Sequence, residues 1–385
     1  MPPFHFLVGS FNTSQIYTFA FNVSADFKPN LHVIHCSNAQ APHSWLHVSD
    51  DKKVLYATSW TEPPGLAAYA INALNDIKLI NSVRTASRSG YVCASDRAVY
   101  SAGGASGEVY TIDRSTGGFL LTSKQESDYS PLQKLSFVEE EPQQDNGSVM
   151  DFGGLRHGSH SADLSPDGKA LYVADIGRNA IFTFSVDPQD GKLTLGEKHI
   201  SPRSHDGPRH VWPHPGGKYV YCLQEHSSMV DVFEIIGPGP KLKHVQGVKI
   251  IPEAENHQEF WADEVRTSLS DGNKPKYLYA STRGLEKTKK GYVAAFRLLE
   301  DGRIDDGGKS GKEQDGLLAM WETPTSGGWA NAIQPGPTVD GIEYIALTDS
   351  DEGLVMVLSW DGREFKEAAR AKLDEGVGPA TAVWL

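Results

Sequence analysis

Four polar residues, His160, Arg209, Glu225 and Arg283, stand at matching places in a chain that otherwise repeats itself. Two guanidiniums, an imidazole and a carboxylate make a set with defined chemistry. Guanidinium forks grip carboxylates bidentately. Two of them held close together repel unless an anion, or Glu225, stands between them. An imidazole whose ordinary pKa is near 6.5 gives or takes a proton close to neutrality. The set therefore suits a substrate that carries carboxylates and a reaction that needs a proton moved. Any one of the four, taken alone, reads as a solvated strand end or an ion pair between neighbouring repeats. A set gathered from three consecutive repeats points to a site.

What must position the four is a tandem hairpin. His160-Ser161-Ala162-Asp163-Leu164 reads as a short strand, Pro166-Asp167-Gly168 as a turn, and Leu171-Tyr172-Val173-Ala174 as the returning strand. Asp-Gly between two alternating apolar runs is a strong hairpin signal, because Gly takes the positive φ of a tight turn. One such module cannot bury its own apolar face, so it requires neighbours. Copies lie at residues 208–225, where Arg209 precedes Val220 by the same eleven residues that separate His160 from Leu171, and at 44–58. Weaker copies lie at 91–104, 277–283 and 329–349. A seventh is split, with 379–385 as its first strand and 4–9 as its second. Joining the two ends closes a ring and removes its free sheet edges. The expectation is an all-β chain, a single seven-bladed β-propeller domain over residues 1–385, with one blade closed by N- and C-terminal strands.

The repeat register then says which side chains meet. In each hairpin the head of the first strand and the tail of the second share one end of the blade, which opens on one mouth of the central channel. His160 and Arg209 take the head position in adjacent repeats, and Glu225 and Arg283 take the tail position in the next pair. Ser44, Trp60, Gly104, Ile176 and Phe11 fill the equivalent places elsewhere, and Trp329, read as a strand head, lines the same mouth.

Composition narrows the function classes. The 385 residues carry 36 Lys and Arg against 49 Asp and Glu, a formal charge of −13. That balance argues against nucleic acid or an anionic membrane as partner, since both need a basic surface. The N-terminus shows no basic leader followed by an apolar core, and no apolar run is long enough for a membrane span. Cys36, Cys93 and Cys222 are odd in number, have no CxxC spacing and sit within apolar strand patterns, which reads as buried free thiols in the reducing cytoplasm. His157, His160, His205, His210 and His214 fit no metal-ligand spacing, and His214 falls in a hairpin turn, so no metal is expected. No phosphate loop and no Gly-x-Ser-x-Gly elbow occurs. Three long connections, 123–158, 249–262 and 302–328, read as lids or solvated insertions. The first is the lid candidate, because it delivers the chain to His160.

Gly158-Ser159-His160-Ser161, Gly207-Pro208-Arg209-His210, Leu223-Gln224-Glu225 and Ala280-Ser281-Thr282-Arg283 resemble the motifs of the seven-bladed lactonase superfamily. That superfamily includes 6-phosphogluconolactonase-type enzymes and the fungal 3-carboxy-cis,cis-muconate cyclases. The run 324–332, with Thr348-Asp349-Ser350-Asp351-Glu352-Gly353 after it, resembles the fungal cyclase branch more than the sugar lactonases. The resemblance implies an enzyme without metal or organic cofactor, a cycloisomerase of aromatic catabolism and a homo-oligomer. It also implies a small-molecule polycarboxylate or lactone as substrate. His160, Glu225, Arg209 and Arg283 would be catalytic. Arg209, Arg283, His210, Trp329 and Asn331 would bind substrate. In the cyclase reading a substrate carboxylate adds across a conjugated double bond, and the arginines stabilise the charge that builds on the other carboxylate. His160 then protonates carbon with Glu225 orienting it, or the two exchange roles. In the lactonase alternative the arginines polarise a lactone carbonyl while Glu225 or His160 activates water. A non-catalytic scaffold is the third reading; the site quartet and the lack of Trp-Asp repeats speak against it.

Overall fold

The computed structural model describes residues 2–24, 27–73, 75–120, 130–137, 158–237, 239–269, 272, 274–307, 316–329 and 331–385. Among these, the strands form seven four-stranded antiparallel sheets, and the helical content is one 3-10 turn at His257–Glu259. Blades 1 to 7 are numbered by their innermost strands: Pro379–Trp384, Leu46–Val48, Tyr91–Ala94, Ser159–Leu164, Pro208–Pro213, Phe260–Thr267 and Ile333–Val339. Each innermost strand packs on that of the next blade around the channel.

The ring closes in blade 1, where Pro379–Trp384 pairs with Phe4–Ser10 in the register Leu7 opposite Val383. Phe6 packs against both Phe19 and Trp384, and Trp384 Nε1 donates to the Gln334 carbonyl of blade 7 at 3.0 Å. The two chain ends are thus tied into one sheet and on to its neighbour. Cohesion elsewhere comes from faces that no blade can bury alone. Tyr221, Val230 and Val248 of blade 5 pack against Val265, Leu278 and Phe296 of blade 6, all essentially without solvent contact. Burial of each such side chain favours folding by about 1.5–3 kcal/mol.

The hairpin of blade 4 has a four-residue connection. Ser165 and Ala170 are hydrogen-bonded across it, Ser165 Oγ donates to Asp167 at 2.7 Å, and Gly168 turns the chain at φ +67°. The next hairpin repeats the device with Gly217 at φ +74°.

The feature that makes the site is an irregularity. Blades 4, 5 and 6 each carry a β-bulge at the same step of the innermost strand, between Ser159 and Ser161, Pro208 and His210, and Ala262 and Glu264. A bulge leaves its extra residue outside the ladder and re-aims the side chain. The extra residues are His160, Arg209 and Asp263.

Two expectations need correction. Trp329 does not head a strand: blade 7 begins at Ile333, and Trp329 sits in the preceding loop after Gly327 and Gly328, whose φ values of +96° and +69° turn the chain away from strand geometry. Cys36 is exposed, because it lies on the outermost strand of blade 1, Phe27–Asn38, which has no further strand to cover it; Cys93 and Cys222 are buried. Most of the connection taken as a lid lies outside the described residues. The connection at 249–262 is largely exposed from Glu253 to Glu259, as a solvated insertion is, and is tied to blade 6 where Glu255 accepts from Lys289 at 2.6 Å and from the Tyr292 hydroxyl at 3.3 Å.

Candidate active site

At one mouth of the channel the bulged strands open a pocket of about 530 Å³. His160, Arg209, Glu225 and Arg283 all line it, together with His210 and Trp329. The positions equivalent in the repeat behave alike: Phe11, Ser44, Trp60 and Ile176 face the same space. Gly104 does not, because its backbone is hydrogen-bonded to that of Ser159 in both directions.

Arg209 is the hub. Its Nε stands 3.0 Å from Glu225 Oε2, its Nη2 stands 3.7 Å from Asp263 Oδ1, and its Nη1 donates to the Asp263 carbonyl oxygen. Arg283 Nε stands 3.6 Å from that same Asp263 Oδ1, and its guanidinium lies over the Trp261 ring at 5.0 Å. One buried carboxylate oxygen therefore lies between two guanidiniums, at a distance longer than that of a close ion-pair hydrogen bond. Asp263 Oδ1 makes no hydrogen bond among the described residues, whereas Oδ2 accepts from the Asn331 amide at 3.1 Å. Burial raises the Asp263 pKa, and the Arg283 and Arg209 charges oppose that rise.

His160 packs beside His210, ring centroids 5.1 Å apart, and its Nδ1 is buried without a hydrogen-bond partner. Desolvation, then the charge of Arg209, then His210 and Arg283, hold its pKa well below the ordinary histidine range. The neutral imidazole is therefore favoured near pH 7. His210 is neutral as well, for similar reasons. Arg209 Nη1 faces His210 Nε2 at 3.2 Å; a guanidinium only donates, so Nε2 accepts and Nδ1 carries the hydrogen. That hydrogen is given to Glu264 Oε1 at 2.9 Å.

From His210 a buried charged cluster, called the plug below, joins the innermost strands of blades 3, 4, 5 and 6. Glu264 Oε1 also accepts from Arg266 Nη1 at 2.8 Å and from the Val265 amide at 3.0 Å. Arg266 donates to the Tyr91 hydroxyl at 3.1 Å, which donates in turn to Asp163 Oδ1 at 2.9 Å. The Arg266 guanidinium lies 4.4 Å from the Trp212 ring and 5.5 Å from that of Trp45. Burial pushes both Glu264 and Asp163 up to about 7, with the Arg266 charge pulling each back down.

The repeat register missed Asp263, although it holds the bulge position shared by His160 and Arg209. The hairpin from Glu264 to its partner Ser281 is longer than those from Ser161 to Ala174 or His210 to Leu223, so a fixed step could not find it. The Ala-Asp-Glu run ahead of Val265 was the available signal. Asn331 does not line the pocket. It is wholly buried, its Nδ2 donating to the Thr282 carbonyl at 2.9 Å and its backbone amide to Asp263, so it supports the wall from behind. Of the other histidines, His214 packs on Tyr221 away from the pocket and His157 lies outside the described residues. Among the described residues no three His, Cys, Asp or Glu side chains converge as metal ligands would.

A seven-bladed propeller with a guanidinium-rich pocket at one channel mouth is a defined class of protein. Residues 5–309 match the family described as "Lactonase, 7-bladed beta-propeller", and the chain belongs to it. It is 41% identical to muconate cycloisomerase 1 of Cutaneotrichosporon cutaneum, over 98% of this chain and 97% of that protein. It is 29% identical to the carboxy-cis,cis-muconate cyclase of Neurospora crassa, over 59% of this chain and 60% of that one. The periplasmic gluconolactonase of Pseudomonas aeruginosa has the same fold, with a TM-score of 0.76 over 100% of this chain and 99% of that one, at 16% identity.

Proposed function

We propose that this protein is a cycloisomerase of cis,cis-muconates, 3-carboxy-cis,cis-muconate or the unsubstituted diacid, and that it closes the γ-lactone without a cofactor. The observation that carries the reading is the pair of guanidiniums that share one distant carboxylate oxygen at 3.6 and 3.7 Å, beside a neutral imidazole with an unpartnered nitrogen. Arg283 retains the capacity to fork onto a substrate carboxylate, and Arg209, engaged through Nε and Nη1, offers Nη2 to a second. The names of the two relatives by sequence supply the substrate class.

The reaction is an isomerisation, so no electrons leave the substrate and no second molecule is consumed. One carboxylate oxygen attacks the carbon–carbon double bond. The π pair moves toward the conjugated carboxylate, which becomes an enediolate. A proton then adds to the carbon next to it. Attack is intramolecular and gains from proximity. Arg209 and Arg283 hold the carboxylates and stabilise the enediolate, a role worth about 3–4 kcal/mol per well-placed donor. His160 delivers the proton. Burial is the first cause of its low pKa and the arginine charges add to it; bound carboxylates offset the arginine part and so favour the charged imidazole that later protonates the substrate. Glu225, in contact with Arg209, keeps that guanidinium aimed at the pocket.

Hydrolysis of a lactone remains the second reading, favoured by the description of the family itself. Loss of diene absorbance on mixing the protein with either muconate tests the first reading, and acid release from aldonolactones tests the second. A protein that consumes neither diene while opening lactones overturns the cycloisomerase. The free thiols of Cys36, Cys93 and Cys222 fit a reducing compartment and support a cytoplasmic location. No helix of the described residues is long and apolar enough to cross a membrane.

A further inference from the structure

The pocket is divided. His160, Arg209, Glu225 and Arg283 come from blades 4, 5 and 6, whereas the opposite side comes from blades 7, 1 and 2 and is aromatic. There Trp60, Phe11 and Trp329 form a continuous wall, with Phe11 5.5 Å from the Trp60 ring and 5.9 Å from the Trp329 ring. Each is fixed by more than ring contact. Trp60 Nε1 donates to the Ser89 carbonyl at 2.9 Å, the Phe11 amide donates to the Gly378 carbonyl at 2.9 Å, and the Trp329 amide donates to Ser350 Oγ at 2.7 Å. Trp329 is nonetheless 63% exposed, an unusual state for so large an apolar side chain at the lip of a pocket.

Neither carboxylates nor a proton relay needs such a wall. A six-carbon diacid occupies on the order of 150 Å³, about the volume of five waters of ~30 Å³ each. The pocket holds about 530 Å³. With both carboxylates on the arginines, the diacid covers the charged side and leaves the aromatic side in contact with water.

We propose that the wall of Trp60, Phe11 and Trp329 is a subsite for an apolar substituent on the diene, so that alkyl- and aryl-substituted cis,cis-muconates are substrates of this pocket. The proposal rests on the cycloisomerase reading for the word substrate; the subsite itself rests on the geometry. An aryl group there gains by burial of its own surface and by edge or offset contacts with the indoles. A third carboxylate gains little there, because Trp60 Nε1 is already given to Ser89, the Arg88 guanidinium 5.4 Å from the Trp60 ring stands 3.2 Å from Glu62, and the rings take away its water.

The test separates binding from turnover by using saturated, unreactive analogues. Adipate, 3-phenyladipate and butane-1,2,4-tricarboxylate are titrated into the full chain by calorimetry. 3-Phenyladipate is expected to bind about ten-fold or more tighter than adipate, and the tricarboxylate no tighter than adipate. Trp60→Ala and Phe11→Ala, each checked for folding by circular dichroism, are expected to bring the phenyl-to-adipate ratio to within about two-fold of unity. Equal affinity for adipate and 3-phenyladipate overturns the subsite. So does an equal gain from the third carboxylate, or a ratio unmoved in both variants. Turnover is followed separately with cis,cis-muconate and its 3-carboxy and 3-phenyl derivatives. If none is consumed while the binding ratio holds, the cycloisomerase reading falls and the subsite stands. If the unsubstituted diacid is consumed and the ratio is absent, the subsite alone falls.

Discussion

Arg266 and the pair Arg209–Arg283 belong to one channel, Arg266 and Arg283 on adjacent strands of blade 6, yet they are held differently. In the plug Arg266 meets Glu264 at 2.8 Å, donates to Tyr91 and lies between two indole rings. At the mouth Arg209 and Arg283 share Asp263 at 3.7 and 3.6 Å. Burial is similar and the residue type is the same. The difference lies in how many donors are already taken: among the described residues Arg283 meets its carboxylate only at 3.6 Å, and Arg209, with Glu225 at 3.0 Å, keeps Nη2 at 3.7 Å from Asp263. A cation whose partners are already within hydrogen-bonding distance has little left to offer a ligand. A cation kept in place by a charge slightly too far away stays available, and the low dielectric around it makes that availability strong.

The sharpest way to break this comparison is to remove the plug. Arg266→Met leaves Glu264 buried without its cation and is expected to lower stability by about 3–5 kcal/mol, read as a shift of the urea unfolding midpoint. An unchanged midpoint would mean that the plug does not hold the ring together. At the mouth the order is reversed. Arg283→Ala is expected to lower kcat/KM for a muconate by about a hundred- to a thousand-fold, while its unfolding midpoint stays far closer to that of the parent protein. Arg283→Ala with full activity would remove it from the chemistry.

Asp263→Asn asks what the distant carboxylate does. Without its charge the guanidiniums attract anions more strongly but are less well aimed, so KM is expected to fall and kcat to fall by about ten-fold. A rise in KM with unchanged kcat would instead make Asp263 a simple binding partner. The smallest effect concerns pH. Burial and the two arginines depress His160, and bound carboxylates are expected to offset the arginine part. The free enzyme thus loses its acid form at a lower pH than the complex does. The alkaline limb of kcat/KM is expected to lie at lower pH than that of kcat. Coincident limbs would exclude substrate-assisted protonation of His160.

The hairpin units were legible because each carries its own local signals: a positive-φ glycine in the turn and alternating apolar strands, as in 160–175 and 208–225. Closure by the two chain termini was legible for the same reason, since a first strand without a second and a second without a first can only complete one another. The hairpin step put His160 and Arg209 in one register and Glu225 and Arg283 in another. It failed at Asp263, where a longer hairpin hides the equivalence; Asn331, named by the family resemblance, lies behind the wall through a hydrogen bond to a strand of another blade. It also misread Trp329, because two glycines with positive φ hold that residue off the strand it precedes.

Sequence alone thus determined the seven blades, the closure and the end of the channel at which charged side chains gather, since those follow from periodicity and turn chemistry within single hairpins. Only the tertiary structure decided how far each carboxylate stands from each guanidinium, which charges are paired in the plug, and that the opposite wall is aromatic. These depend on bulges in three strands and on the packing of blades distant in sequence, and an ion pair changes character within an ångström that no residue pattern records.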